Sequence, residues 1–298
     1  MCIRDSDYIK LATIMLKILI GVYVFRREVV KVISVEKFSI EGTLGIITEV
    51  QLRLFPIPEN IMSAVCHFSS LESAVSAVQE IIQHGVPIAR IELLNADQME
   101  ISIKYSRLDH LEAKPTLFYE FHGSETTNKE AVNLVEEISN NNGGSQFEWA
   151  ENTEDRKKLW KARHEVYYSV KALHPNTRIY TTDACVPISR LAECIKFTEE
   201  KIKEYGLKAP IVGHVGDGNF HCTVLYDPSK KEDHKIIREF SNKLIQKTLE
   251  LEGTITGEHG IGINKKEYLI KQHKDNIPLM QLIKRNICLL YTSPSPRD

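Results

Sequence analysis

Two histidines bracket a glycine-rich stretch in Gly213-His214-Val215-Gly216-Asp217-Gly218-Asn219-Phe220-His221. If Gly216–Asn219 forms a four-residue hairpin loop, Val215 pairs with Phe220 and His214 with His221. Directly opposed residues share one face of a sheet, with Cβ atoms roughly 4.5–5.5 Å apart. Imidazoles that close can converge on one cation through metal–nitrogen bonds of about 2.0–2.1 Å. Two half-buried histidines with satisfied hydrogen bonds fit the same residues.

The second stretch is Gly253-Thr254-Ile255-Thr256-Gly257-Glu258-His259-Gly260-Ile261-Gly262. On an extended chain the adjacent Glu258 and His259 point in different directions, so one could face a metal and the other a substrate. The surrounding glycines permit positive φ or close approach of the backbone to a planar group. With His214 and His221, Glu258 completes a His2Glu set with an open position, a catalytic metal arrangement in which His259 is a spare base. A plain glycine-rich turn is the alternative, and a zinc hydrolase would satisfy the same residues.

Elements that position these residues follow from periodicity. Ile46–Phe55 reads as a strand closed by Pro56 and Pro58. Ser63–Phe68 reads as a strand. Leu71, Ala74, Val75, Val78, Ile81 and Ile82 mark a helix closed by Gly85 and Pro87, and Ile88–Leu94 is a further strand. Thr116–Phe121, a helix through Ala131–Ile138 and Gln146–Ala150 repeat the pattern. Strand–helix–strand twice over predicts an α+β fold: a split βαβ, ferredoxin-like antiparallel sheet with helices on one face. Glu154–Val170 reads as one helix carrying Trp160 and Arg163. A helix opened by Pro187 ends at Gly206, Ile211–Tyr226 reads as two strands, and Ile236–Leu249 is a last helix. From Asn60 onward no low-complexity linker interrupts the chain.

Composition narrows the class. Lys and Arg number 38 against 40 Asp and Glu, a net charge of −2. That balance lacks the electrostatic footprint of a nucleic-acid or acidic-membrane binder. Cys2, Cys66, Cys185, Cys194, Cys222 and Cys288 show no paired framework, so a soluble intracellular protein without a disulfide scaffold is expected. Tyr8–Phe25 is apolar, but Lys10 and Lys17 interrupt it, and no integral span is expected.

The two ends share an origin at the nucleotide level. Cys2-Ile3-Arg4-Asp5 and Cys288-Leu289-Leu290-Tyr291-Thr292 can be encoded by one oligonucleotide in opposite orientations, and it resembles a sequencing-library adaptor. Residues 1–6 and 288–298 are therefore expected to be adaptor translation, and the gene product to extend beyond both ends. Residues 7–37 read as a core helix or a mistranslated stretch.

Several ordered motifs resemble the FAD-linked oxidases of the vanillyl-alcohol-oxidase type. They are Glu41-Gly42-Thr43-Leu44-Gly45-Ile46-Ile47-Thr48-Glu49, the His214–His221 run and the Gly257–Gly262 run. Trp160-Lys161-Ala162-Arg163-His164 and Thr182-Asp183-Ala184-Cys185-Val186-Pro187-Ile188-Ser189-Arg190-Leu191 are similar to the cytochrome-dependent, mitochondrial-type D-lactate dehydrogenases within that family. The resemblance runs from about Glu41 to Ile287. It implies that residues 38–58 end an FAD-binding domain and that 59–287 form a substrate and metal cap, truncated at its end. It further implies His214, His221 and Glu258 as ligands of zinc or manganese, His259 as general base and Arg163 as carboxylate anchor. Glu41, Gly42, Gly45 and Ile47 are implied in binding FAD, though a tight turn leading into a strand fits them equally.

The implied activity is oxidation of D-lactate to pyruvate, with hydride transfer to FAD and electrons passed to cytochrome c or another acceptor, in the mitochondrion. D-2-hydroxyglutarate dehydrogenases and glycolate oxidase subunits share the fold. The former place a Lys just before the Asp matching Asp183, whereas this chain has Thr181-Thr182, a neutral pair suited to a monocarboxylate. Ser39-Ile40 stand where the family has Gly-Ser, and the pyrophosphate-binding loop is missing, so the fragment by itself is expected to be inactive. A non-catalytic metal-binding ferredoxin-like module is the alternative of another class.

Overall fold

The computed structural model describes residues 57–108, 110–262 and 265–287. The described residues fall into two compact units, one up to Glu252 and one from Gly253 onward. The expected strand at Ile46–Phe55, the FAD-binding residues Glu41, Gly42, Gly45 and Ile47, the apolar Tyr8–Phe25 segment and both adaptor-like ends lie outside the described residues.

In the larger unit the strands are β1 (Asn60–Phe68), β2 (Arg90–Leu94), β3 (Thr116–Gly123), β4 (Gly144–Ala150), β5 (Arg178–Thr181), β6 (Ala184–Cys185), β7 (Ile211–His214) and β8 (Asn219–Tyr226). Its helices are α1 (Leu71–Gln83), α2 (Ala96–Ser106), α3 (Glu125–Asn141), α4 (Thr153–His164), α5 (Val166–Leu173), α6 (Leu191–Glu204) and α7 (Lys231–Glu250). The second unit contributes α8 (Lys266–Gln272) and α9 (Ile277–Ile287).

The sheet order is β4-β1-β3-β2-β7-β8-β5, with β6 also on β8, and every pairing is antiparallel. Its first half is the ferredoxin-like arrangement: β1–α1–β2 and β3–α3–β4 interleave so that β1 and β3 lie at the centre. Local chemistry explains why these helices start where they do. Ser70 caps α1 by accepting from the Ser73 N–H, and Ser124 caps α3 by accepting from Thr127.

Two expectations need correction. Helices cover both faces of the sheet, because strand residues alternate between two cores. Met62, Ala64, Leu93, Tyr119, Phe121, Phe220 and Cys222 pack with α1, α3, α6 and α7 on one face. Val65, Leu94, Phe118 and Val212 pack on the other with Met99 of α2, Leu159 and Trp160 of α4 and Val166 of α5. Neither does a single helix run from Glu154 to Val170. The chain breaks at Glu165 (φ −93°, ψ 8°), whose carboxylate accepts from Ser106 Oγ at 2.5 Å. Leu159 and Trp160 can then face the sheet while Ser169 and Val170 turn toward α2.

The α2 helix escapes periodicity because its buried residues are largely polar: Gln98, Ser102 and Ser106 beside Met99. Asn95 explains its start. The Asn95 side chain accepts from the Gln98 N–H and also from the Ile211 N–H, tying the helix start to β7. Cys66, Cys194 and Cys222 are buried thiols whose pKa values are raised by burial, to about 12, about 11 and about 12. Among the described residues no helix is long and apolar enough to cross a membrane.

Candidate functional site

The β7–β8 hairpin brings His214 and His221 together, but not in the expected register. The loop is Val215–Gly218, so His214 pairs with Asn219 and Val212 with His221. Gly218 explains the shift. It adopts φ +77° at the loop end, and a Cβ there would sit 2.1 Å from the Val186 carbonyl oxygen. The histidines are therefore diagonal neighbours on one face, not directly opposed. Their rings nevertheless meet edge to face with centroids 5.9 Å apart.

Each imidazole is oriented through Nδ1. His221 Nδ1 lies 3.0 Å from the Thr182 carbonyl oxygen, which can only accept, so Nδ1 carries the proton. Thr182 is itself fixed, since its Oγ1 accepts from the Cys222 N–H at 2.8 Å. Next to it the Asp183 carboxylate accepts from Asn219 Nδ2 at 2.9 Å and lies 3.7 Å from His221 Nδ1. His214 Nδ1 lies 2.8 Å from Glu92 Oε1. In both rings Nε2 is thus the acceptor nitrogen, the arrangement in which a carbonyl or carboxylate sets tautomer and ring orientation.

Arg163, on α4, joins the pair. Its Nε donates to Glu92 Oε2 at 3.1 Å, and its Nη2 approaches His214 Nε2 at 3.4 Å. Glu92 is only 6% exposed. Burial pushes its carboxyl up, but the Arg163 guanidinium and the His214 hydrogen bond outweigh that and hold it below the usual carboxylate range.

Glu92 was not among the residues expected from sequence. Its signal is a lone carboxylate in the apolar run Ile91-Glu92-Leu93-Leu94, where period-two alternation turns it away from Ile91 and Leu93. Thr182 and Asp183 were legible as a motif, but not as the groups that hold His221.

Glu258 and His259 belong to the second unit. Instead of diverging from an extended chain, they lie on bends, and His259 Nε2 comes within 3.4 Å of Glu258 Oε1. Thr256 Oγ1 donates to the Gly260 carbonyl at 3.0 Å, and Gly260 takes φ +83°. The described site residues therefore form two groups, His214, His221 and Arg163 in one unit and Glu258 with His259 in the other. The first presents two imidazole acceptor nitrogens, with the Arg163 guanidinium 3.4 Å from that of His214. The donor set fits a divalent cation together with an anionic oxygen ligand.

Comparison with known proteins supplies the family. Residues 57–287 match the family described as FAD linked oxidases, C-terminal domain. A probable mitochondrial D-lactate dehydrogenase of Danio rerio is 47% identical over 229 residues, covering 77% of this chain and 46% of that protein. The mitochondrial D-lactate dehydrogenase [cytochrome] of Arabidopsis thaliana is 36% identical, with coverage of 82% and 43%. The glycolate oxidase subunit GlcD of Bacillus subtilis is 30% identical, with coverage of 82% and 52%. The chain spans about half the length of these curated relatives. Among solved structures, 4-ethylphenol oxidase from Gulosibacter chungangensis superposes with a TM-score of 0.58 at 15% identity, over 79% of this chain and 53% of that one, a likeness of fold. The chain belongs to the FAD linked oxidases and carries their C-terminal domain over residues 57–287.

Proposed function

We propose that this chain is the substrate-binding part of a flavin-dependent D-2-hydroxy-acid dehydrogenase that oxidises D-lactate to pyruvate in mitochondria. The observation that carries the reading is the His214–His221 pair, each ring held through Nδ1, with Arg163 against His214. Relatives named mitochondrial D-lactate dehydrogenase support the substrate and the compartment. In this reading residues 38–58 end the FAD-binding domain and 59–287 form the cap.

His214 and His221 would hold a zinc or manganese ion, with Glu258 assigned as third ligand from its motif. Arg163 grips the substrate carboxylate through the guanidinium edge not used by Glu92. The neutral Thr181-Thr182 pair offers no partner for a second carboxylate, which favours a monocarboxylate. His259 takes the proton of the 2-hydroxyl as general base. A bound divalent cation would lower the pKa of that hydroxyl. FAD would accept the C2 hydride and pass electrons to cytochrome c or another acceptor. The residues assigned to FAD lie outside the described ones, and no step is assigned to them.

The test uses the FAD-loaded protein that carries this chain, mixed anaerobically with D-lactate, glycolate or D-2-hydroxyglutarate. Flavin bleaching should be fastest with D-lactate. His259→Ala should slow bleaching by about 10²–10⁴-fold with flavin content unchanged. Equal bleaching by D-2-hydroxyglutarate would overturn the monocarboxylate assignment, and undiminished turnover in His259→Ala would remove that residue from the mechanism.

A further inference from the structure

We propose that Glu92 is the positioning residue of this site, setting a metal-ligating histidine and the carboxylate-binding arginine at once; the inference rests on the metal and substrate reading above. Its two oxygens have separate tasks. Oε1 faces His214 Nδ1 at 2.8 Å, and Oε2 accepts from Arg163 Nε at 3.1 Å. The β2–β7 register, with Leu93 opposite Gly213, carries Glu92 opposite His214, but strand pairing does not bring Arg163 to them. Only the folded sheet with α4 laid across it does.

The consequences for chemistry follow from valence. With the Nδ1 proton donated to Glu92, the lone pair of His214 lies at Nε2. Without the carboxylate, an isolated imidazole reverts toward its Nε2–H tautomer and loses the ligating lone pair. Arg163 is fixed through Nε and Nη2, both 3.1 Å from Glu92 Oε2, with Nη2 also 3.4 Å from His214 Nε2, which leaves Nη1 for an incoming anion. One buried carboxylate therefore couples cation binding to carboxylate binding. Glu92 also neutralises Arg163 in a site where the side chains of both are largely withdrawn from water, 17% and 7% exposed for Arg163 and Glu92.

The test compares the wild-type chain with Glu92→Gln, Glu92→Leu and the paired Glu92→Leu/Arg163→Leu variant. The paired variant removes both charges, so no lone charge is left buried if Glu92→Leu fails to fold. Two readouts are needed: Mn²⁺ affinity by paramagnetic titration, and the His214 tautomer by long-range ¹⁵N–¹H correlation with the imidazoles neutral. We expect wild type to hold His214 as the Nδ1–H tautomer. The leucine variants should move it toward Nε2–H, and Mn²⁺ affinity should fall about 10–100-fold in Glu92→Leu and measurably in Glu92→Gln. A residue that merely stabilises the fold would lower the melting temperature and move neither readout. Unchanged tautomer and Mn²⁺ affinity within twofold in a folded Glu92→Leu would overturn the inference. If wild type binds no Mn²⁺ while the tautomer still depends on Glu92, the metal reading falls and the hold on His214 stands.

Discussion

One sheet face carries two clusters of the same composition, and they differ in how they are built. In each, a glutamate offers Oε1 to a histidine and Oε2 to an arginine. Glu92 does so with His214 and Arg163, at 2.8 and 3.1 Å, and Glu120 with His122 and Arg90, at 2.9 and 2.8 Å. Glu120 takes both partners from its own neighbourhood. Arg90 is its directly paired residue on β2, and His122 lies two positions along β3 on the same face. Sheet register alone brings these together, and His122 and Arg90 keep 42% and 32% of their side-chain surface in water. Glu92 meets His214 by extension of the β2–β7 register but takes its arginine from α4, and it fixes its histidine through Nδ1; Arg163 is 17% exposed, while His214 keeps 34%. His122 instead bonds through Nε2, which spends its outer nitrogen on the carboxylate. Composition is thus a poor guide to function here. What separates the clusters is the ring nitrogen that the glutamate engages and the burial of its arginine.

The largest expected effect breaks the comparison at its arginines. Arg163→Leu leaves the Glu92 charge buried against His214 alone and should destabilise the fold by about 3–5 kcal/mol. Arg90→Leu removes a partly exposed ion pair and the stacking of Arg90 over Trp160, 3.9 Å from the ring centroid, and should cost about 1–2 kcal/mol. Denaturant unfolding midpoints at neutral pH check the pair. Equal losses would mean that burial does not distinguish the clusters. Adding Glu92→Leu to Arg163→Leu should recover much of the loss, because the lone charge disappears.

These clusters also mark how far the sequence could be read. The first four strands with α1 and α3 were legible because apolar residues recur at clean periods and Gly85 and Pro87 close α1. The His214 and His221 pair was legible from spacing, but its register was not. Gly218 has to tuck against Val186, a contact made only once Val186 has been brought across by the β6 pairing. Arg163 was legible only through its resemblance to a family motif. Glu92 was missed because a charged residue on a strand is read as facing water, and the helix that buries it comes some seventy residues later in the chain. The α2 helix was missed for the related reason that Gln98 and Ser102 satisfy each other inside, at 3.1 Å.

A middle-sized effect sharpens the comparison through acid stability. Burial raises the Glu120 carboxyl, but hydrogen bonds from His122 and Arg90 prevail and bring it to about 2, against an ordinary 4.5. A depressed carboxylate favours the folded state while ionised. Its contribution is therefore fully present above about pH 4.5 and is lost as pH falls toward about 2. With both partners partly in water, the contribution is on the order of 2 kcal/mol. Glu120→Gln should lower the melting temperature at neutral pH, where the contribution is fully present, and flatten its decline as pH falls from about 4.5 toward about 2. An unchanged acid slope would show that Arg90 and His122 do not hold Glu120 ionised.

The smallest expected effect concerns His122 and tests whether the clusters are independent. His122 is half exposed, lies near the end of β3 and gives Glu120 one hydrogen bond, while Arg90 continues to hold the other oxygen. His122→Ala should therefore cost no more than about 0.5–1 kcal/mol, the range for exposed polar pairs. Mn²⁺ affinity should stay within twofold of wild type, since neither His214 nor its partner Glu92 contacts His122 through any of these bonds. His214→Ala, the matching change in the buried cluster, should abolish measurable Mn²⁺ binding with a comparably small change in melting temperature. Titrating both variants side by side at one ionic strength removes differences in screening. A tenfold loss in His122→Ala would mean that charge at the outer cluster is felt at the inner one. The face would then act as one continuous electrostatic surface, and the separation drawn from burial and ring orientation would fail.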